Sequence, residues 1–436
     1  MRLFTILISG ALVSSVGSGM TAFALGAWAF MTFGTASSVA VVQLCALAPI
    51  VLLGPAAGAL ADRHDRRLLM PLGDGGSILG LLVVLAAVSR PEPQLPVILG
   101  GVTASACLAS LTEPALRATV NDLVPAEQYA RSSGLLQLIS AAKLLVSPVL
   151  AGLVLPRAGI ATVLWIDVST VAVTVACALS VRHQLGSGVT QMTTGPSRSV
   201  LAELRETAHL LTSTRPVATA MALVSVLTVF IGVLQVLMGP VLLPNHPVSA
   251  VGTAQSVAAT GMLAGALAVG ALGRVRPATM LTAGILGLSA GMAAFALSPS
   301  LVWVTACGFV ILVSLALCST GAEIVVRTCV PGNHQGRSWG LIGLVTQLGY
   351  LLAYTTAGPL ADRLFEPTLL PDGALTGILG PLIGTGPGRG TALLVAVVGL
   401  AALFLVPVTL SPRLRGVRAP QEVDTDATHA SSTRAR

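Results

Sequence analysis

Charge is scarce in this sequence, and lysine is almost absent. Charged residues make up 9% of the 436 positions, whereas a soluble domain carries about 25%. The composition therefore excludes most soluble classes of protein. Lys143 is the one lysine, against 23 arginines, and it lies in an apolar run rather than after a glycine-rich phosphate loop. A kinase, or a pump that hydrolyses ATP within this chain, is excluded as well.

Aromatic residues, paired cysteines and catalytic signatures are also missing. Aromatic residues amount to 4% and the net charge is +7, so no basic aromatic groove is present and nucleic acid is not expected as a partner. The six cysteines form no C-x-x-C pair, and the apolar runs contain no H-E-x-x-H, H-x-x-x-x-D or G-x-S-x-G set. We therefore expect no metal, no cofactor, no catalytic residues and no enzymatic activity.

Long apolar runs dominate what is present. A helix that crosses a membrane needs about 20 mostly apolar residues. Twelve runs meet this requirement, at roughly 4–31, 38–60, 69–89, 95–118, 132–155, 160–181, 217–243, 250–272, 278–298, 301–326, 338–360 and 391–409. They predict an all-α integral membrane protein with about twelve transmembrane helices.

Arginines are distributed unevenly between these runs. If the N-terminus is inside, most arginines fall in inner segments, and only Arg90, Arg157, Arg363 and Arg389 fall in outer ones. Positive residues accumulate on the cytoplasmic side of membrane proteins. We therefore expect a multi-pass protein of the cell membrane with both termini in the cytoplasm.

Short sequence matches recur between the first six and the last six runs at a nearly constant spacing. Glu113–Arg117 recurs as Glu323–Arg327, and Arg131–Leu135 recurs as Arg337–Leu341. A parallel repeat of this kind is typical of transporters that bind substrate between two halves. We predict a six-helix half at 1–181, a cytoplasmic linker at 182–216, a second six-helix half at 217–410 and a disordered cytoplasmic tail at 411–436.

The predicted linker contains one amphipathic segment. Leu201, Leu204, Ala208 and Leu211 follow a helical spacing. This spacing fits a helix lying on the inner leaflet, or a linker helix without a special partner.

The loop after the second run carries the most specific local motif, Gly58-x-x-x-Asp62-Arg63-x-x-Arg66-Arg67. Glycine lets two helices approach closely, the aspartate can cap a helix or pair with an arginine, and the arginines anchor the loop at the inner face. We predict a conformational gate here, the alternative being a positively charged anchor alone.

Further charges near the inner face are assigned to the same gate: Asp74, Glu113, Arg117, Glu323 and Arg327. Glu and Arg four residues apart share one helix face, so these pairs can bridge to Arg66 or Arg67. Proton carriage and solvated helix-end charges are the alternatives. A similar string, Gly358–Arg363, follows the eleventh run and is expected on the outer side, so it is not the repeat of the first.

With this loop, the twelve runs and the repeat, the chain resembles the major facilitator superfamily, and within it the macrolide-efflux and enterobactin-exporter type of proton antiporter. The stretches that carry the resemblance are Leu12–Ser18, Thr21–Leu25, Ala61–Arg67, Leu123–Pro125 and Gly384–Gly390. The resemblance implies a single polypeptide that exports small molecules by alternating access, driven by protons. Asp65 departs from the superfamily loop, which usually has glycine there.

Ionisable residues inside the membrane are costly and tend to be functional. At a rise of about 1.5 Å per residue, Lys143 and Asp167 lie at about 16 and 20 Å from the inner side, so we predict that both line the cavity and that one titrates or contacts substrate. A static ion pair or a snorkelling lysine is the alternative. Four glutamines are further candidates for substrate binding, with helix packing as the alternative: Gln43, Gln137, Gln235 and Gln347.

These observations favour a secondary transporter that exports an amphipathic small molecule, such as an antibiotic, a siderophore or another natural product. Protons, the substrate and the lipid bilayer are the expected partners, and the protein is expected to act as a monomer. An uptake permease of the same fold is the alternative, and a membrane-embedded receptor or enzyme is the alternative from a different class.

Overall fold

The computed structural model describes residues 2–124, 129–185, 200–272, 275–331 and 335–416, which consist of helices and the turns that join them. Eleven helical stretches in this part of the chain are long and apolar enough to cross a membrane. One of them, Gly134–Gln184, has 51 residues. It would measure about 77 Å as a straight helix, more than twice the roughly 30 Å of a bilayer core. It therefore holds two spans, and the predicted all-α membrane protein with about twelve spans is confirmed.

The chain reverses inside this long stretch at Gly159. Its φ of 76° is left-handed, a conformation that glycine adopts without steric cost. A Cβ placed at Gly19 would lie 2.9 Å from Cγ of Lys143, and one at Gly17 would lie 3.3 Å from Cα of Asp167. Lys143 and Asp167 therefore lie at the same level along the first helix, although they stand 24 positions apart in the sequence. This is expected if the stretch forms two antiparallel spans.

The first half contains seven helices in six spans. They are α1 (Arg2–Phe33), α2 (Ala36–Arg63), α3 (Arg66–Val88), α4 (Leu95–Ala109), α5 (Thr112–Leu123), α6 (Tyr129–Leu145) and α7 (Ser147–Leu185). The span formed by α1 packs against α7 and also contacts α2 and α6.

The second half follows a short helix, α8 (Val200–Ser213). Its long helices are α9 (Arg215–Leu242), α10 (Val248–Leu272), α11 (Pro277–Phe295), α12 (Leu301–Cys329) and α13 (Gln335–Leu360). A π-helical turn (Ala361–Phe365) and the short helices α14 (Glu366–Leu369) and α15 (Thr376–Ile383) then lead to α16 (Arg389–Ala401), and the described chain ends with α17 (Val406–Thr409) and α18 (Pro412–Arg415). We call the end of the bundle that carries α8 the linker end, and the opposite end the far end.

Two of the predicted runs are interrupted in the structure. The run 95–118 is divided between α4 and α5 at Ser110 and Leu111, and the run 132–155 is divided between α6 and α7 at Val146. Pro148 lies in the first turn of α7, where its missing N–H requires no helical partner. The Ser147-Pro148 pair thus begins a new helical segment instead of continuing α6.

The predicted linker and tail are more ordered at their edges than expected. The last helix of the first half continues to Leu185. Leu211 of α8 is buried with Val217, Val326 and Ile342 of the second half, which favours packing on that half over a position on the inner leaflet. The predicted tail begins with α18, while 186–199 and 417–436, and the side chains of 201–204, lie outside the described residues.

The two halves meet closely at the far end. There Gly358 of α13 packs on α2, and a Cβ at this glycine would lie 2.6 Å from Cα of Ser37. On the other side, α7 and α10 pack through glycines: a Cβ at Gly152 would lie 3.1 Å from Cα of Ser249, and one at Gly252 would overlap the carbonyl oxygen of Pro148. These contacts bring the described helices of the two halves into close packing at the far end of the interface.

Candidate functional site

A cavity of about 660 Å³ lies between the two halves. This volume falls in the range of small-molecule sites, about 300–1,000 Å³. Both halves contribute to the wall, and its polar residues are Gln43, Gln137, Ser140, Lys143, Gln235, Gln255, Ser319, Thr320 and Glu323. The remaining wall is mainly apolar, with Phe23, Met238 and Met262 among its larger side chains. This arrangement suits an amphipathic ligand.

Three of the four predicted glutamines line the cavity, and Gln347 of α13 does not. Gln255 of α10 also lines the cavity and was missed, although it lies in an apolar run like the four predicted glutamines.

Gln235 is held by a second residue that the sequence reasoning also missed. The hydroxyl of Tyr354 on α13 donates to Oε1 of Gln235 at 2.7 Å. The amide NH₂ has no partner among the described residues, so it is a donor that Gln235 can offer to a ligand.

Lys143 lines the cavity with an exposed side chain. Its stem passes against Gly19 of α1, where a larger residue would collide with it. Within the described residues, no carboxylate forms an ion pair with Lys143.

Asp167 lies beside Gly17 of α1 but does not line the cavity. Its side chain is 2% exposed, and it accepts a hydrogen bond from Oγ of Ser18 at 2.9 Å. Gly19 faces Lys143 and Gly17 faces Asp167, and positions two apart point to nearly opposite sides of a helix. The helix α1 thus separates the two side chains, and the alternative of a direct ion pair is not observed.

The Glu–Arg pairs near the linker end are formed within single helices. Glu113 and Arg117 are 2.7 Å apart, and Glu323 and Arg327 are 3.5 Å apart, with all four side chains at least half exposed. Neither pair joins the two halves in this conformation. Glu323 lines the cavity near its linker end, so the cavity extends toward that end.

Comparison with known proteins identifies the family. The sequence model of the Major Facilitator Superfamily matches residues 7–364. The chain belongs to the major facilitator superfamily. It is a multi-pass membrane transporter, as the twelve spans and the cavity between two halves suggest.

Named relatives and solved structures agree with this membership. The chain is 25% identical over 370 residues to the uncharacterized MFS-type transporter YfiS of Bacillus subtilis, covering 82% of this chain and 86% of that one. It is 24% identical over 370 residues to macrolide efflux protein A of Streptococcus pyogenes, covering 82% of this chain and 88% of that one. The nucleoside transporter NupG has a similar fold, with a TM-score of 0.73 at 13% identity over 94% of this chain and 100% of that one. A bacterial homologue of the iron transporter ferroportin in its inward-facing state has a TM-score of 0.61 at 19% identity, over 92% of this chain and 98% of that one.

The superfamily loop after α2 is held within the first half of this transporter. Asp65 caps α3 by accepting from the backbone N–H of Arg67 at 3.0 Å, and its carboxylate lies 3.4 Å from Nε of Arg182 at the end of α7. Nε of Arg66 donates to the carbonyl of Ala61 at 3.1 Å. Asp65, which stands where the superfamily usually has glycine, therefore links α3 to α7. The sequence did not reveal its pairing with Arg182.

The other residues of the predicted gate differ in how closely they are packed. A Cβ placed at Gly58 would meet nothing within 4 Å, so no described residue packs where a side chain would stand at this position. The side chains of Asp62 and Arg63 lie outside the described residues. Asp74 is buried and accepts from Oγ1 of Thr112 at 2.6 Å, which joins α3 to α5 inside the first half.

Among the described residues, Asp362 is an acidic residue that joins the two halves. It lies in the string Gly358–Arg363, which was expected on the outer side and not assigned to the gate. The backbone N–H groups of Ala36 and Ser37 donate to its two carboxylate oxygens, each at 2.8 Å. A carboxylate at a helix N-terminus is stabilised by free N–H groups and the helix dipole. Asp362 therefore caps α2 across the interface at the far end, beside Gly358.

Proposed function

We propose that this transporter exports an amphipathic small molecule across the cell membrane by alternating access, in exchange for protons. The observation that carries the proposal is the cavity of about 660 Å³ with a largely apolar wall and a few amides, hydroxyls and charges. A relative is named for macrolide efflux, which supports outward transport. A natural product of mixed polarity matches this wall better than a sugar or a phosphate, since clustered cations are not present among the described lining residues.

Alternating access requires two sets of contacts that form in turn. In the observed conformation the far end is packed through Gly358, Gly252 and the Asp362 cap. The uneven arginine distribution favours a cytoplasmic linker end. A substrate would then enter the cavity from the cytoplasm, and breaking the far-end contacts would release it outside.

We assign substrate contact to Lys143 and proton exchange to Asp167. Lys143 faces the cavity, whereas Asp167 is buried one helix away from it. Ser18 donates to Asp167 and is the neighbour of Gly19 in the cavity wall. A protonation change at Asp167 can therefore alter the packing of α1 without direct contact with the substrate.

The test is transport of phenylnaphthylamine, a neutral amphipathic fluorophore, by the purified chain in proteoliposomes. Molecules whose linker end faces the bath should accumulate the probe in the lumen when the lumen is acidic, and should lose this activity when the pH gradient is collapsed. Loss of probe from the lumen under the same gradient would favour the uptake permease. Binding without movement would favour a receptor.

A further inference from the structure

Lys143 provides an unusual charge in this cavity. It is the one lysine of the sequence, its side chain is exposed to the cavity, and it has no carboxylate partner among the described residues. A charge at membrane depth carries a substantial free-energy cost. An unpaired one at the wall of a ligand cavity is therefore suited to pair with a ligand.

The acidic groups nearest to Lys143 are engaged elsewhere. Glu323 lines the same cavity, but its own counter-ion, Arg327, lies 3.5 Å away on the same helix. Asp167 lies behind α1 and accepts from Ser18. Lys143 is thus a positive charge of the described wall without a counter-ion in direct contact, and Asp167 interacts with it electrostatically only from behind α1.

The amides next in the wall can add hydrogen-bond donors to this charge. The NH₂ of Gln235 has no partner among the described residues, since its one hydrogen bond there is made by the amide oxygen. Gln43 and Gln137 face the cavity, also without a hydrogen-bond partner among the described residues. Amide donors together with the lysine cation can bind an anionic group that is rich in hydrogen-bond acceptors. Phe23, Met238 and the other apolar wall residues suit the hydrocarbon part of such a ligand.

We propose that the substrate of this transporter is an amphipathic organic anion whose acidic group pairs with the ammonium of Lys143. The class comprises carboxylates, sulfonates and acidic phenols on an apolar frame. The inference rests on the proposed export function and specifies its substrate. A cationic amphiphile would bring a second positive charge beside Lys143 and is disfavoured.

Two probes with one aromatic frame test this. Phenylnaphthylamine is neutral, and anilinonaphthalene sulfonate is the same frame with an added sulfonate. Binding of each to the purified full chain is measured by equilibrium dialysis against detergent alone. Lys143→Met removes the charge at similar length, Lys143→Arg keeps it, and Ser180→Ala changes an exposed residue of α7 that is not among the lining residues of the cavity.

We expect Lys143→Met to weaken sulfonate binding about tenfold, which corresponds to about 1.4 kcal/mol. Binding of phenylnaphthylamine should stay within about twofold, Lys143→Arg should retain most sulfonate binding, and Ser180→Ala should leave the binding of both probes unchanged. No sulfonate binding by the wild type, or equal weakening of both probes by Lys143→Met, would overturn the inference.

Chemical labelling gives a second readout that does not depend on folding of a variant. Because Lys143 is the only lysine, an acetylating ester modifies this side chain and the terminal amine of the folded protein. Mass spectrometry should show that the sulfonate slows acetylation at Lys143 but not at the terminus. Equal rates with and without the sulfonate would overturn the inference.

The two proposals fail separately. If phenylnaphthylamine is exported but the sulfonate shows no dependence on Lys143, the substrate class is wrong and export stands. If the sulfonate binds through Lys143 but neither probe is moved by a pH gradient, the anion site stands and proton-driven export is wrong.

Discussion

At the scale of single residues, Lys143 and Asp167 show how two charges at one depth acquire different surroundings. Both lie at the level of Gly17 and Gly19 of α1, and depth follows directly from counting residues along apolar runs. Which side of α1 each one faces depends on how α6 and α7 are rotated about their axes. Long, uniformly apolar helices leave that rotation undefined in the sequence.

Asp167→Asn tests the proton route. Asparagine keeps an oxygen that can accept from Ser18 and a similar volume, but it cannot exchange a proton. We expect transport of phenylnaphthylamine driven by an imposed pH gradient to fall by about tenfold or more, with binding of the probe changed by less than about twofold. Uptake into proteoliposomes and equilibrium dialysis measure the two quantities.

The matched control is Ser169→Ala, which removes an exposed hydroxyl two residues away on α7 and leaves Asp167 and its hydrogen bond from Ser18 in place. It should retain coupling to the pH gradient. Full gradient-driven transport by Asp167→Asn would exclude this aspartate as the proton carrier.

At the scale of helices, the far-end cap of α2 has the clearest consequence. Asp362 accepts from two N–H groups of α2, and replacing a capping side chain costs about 0.5–2 kcal/mol. The sequence showed Asp362 in the string Gly358–Arg363, which is similar to the loop after the second run, but it could not show that α2 begins directly opposite. The position of the break between α6 and α7, at Val146, is equally difficult to predict from hydropathy alone.

Asp362→Ala should shift this transporter toward a conformation open at the far end. A shift of about 1 kcal/mol corresponds to a change of about fivefold in the populations. Val39 lines the cavity near that end and is buried. Labelling of Val39→Cys by an impermeant maleimide applied from the far side should therefore accelerate by about fivefold when Asp362→Ala is added.

Glu92→Ala serves as the comparison, because Glu92 is an exposed acidic residue between α3 and α4 at the same end. Glu92→Ala should leave the labelling rate of Val39→Cys unchanged. The protein without Val39→Cys gives the background labelling of its native cysteines. An unchanged rate in Asp362→Ala would show that the cap does not hold the far end closed.

At the scale of the whole molecule, the two halves can close only where small residues face each other. Gly252 of α10 lies so close to the carbonyl of Pro148 that a Cβ overlaps it, and Gly152 and Gly358 make similar approaches. Close approach through small residues is a recurrent way to pack helices in membranes. The closed far end therefore depends on a few glycines at the interface.

Gly252→Val should prevent this closure. The valine would force α10 away from α7, so labelling at Val39→Cys from the far side should rise and export of phenylnaphthylamine should fall by about tenfold or more. Gly270→Val is the control on the same helix, because a Cβ there would meet nothing within 4 Å. Transport at the wild-type rate in Gly252→Val would contradict the proposed closure.

The sequence by itself determined the class of this protein, the approximate limits of its spans and the depths of its charges. These follow from hydropathy, residue counts and arginine distribution, which are properties read along the chain. Only the tertiary structure decided that Lys143 faces the cavity while Asp167 lies behind α1, that the Glu–Arg pairs stay within their helices, and that Asp362 caps α2 of the other half. Such facts depend on helix rotation and on contacts between residues more than 300 positions apart, and hydropathy carries no information about either.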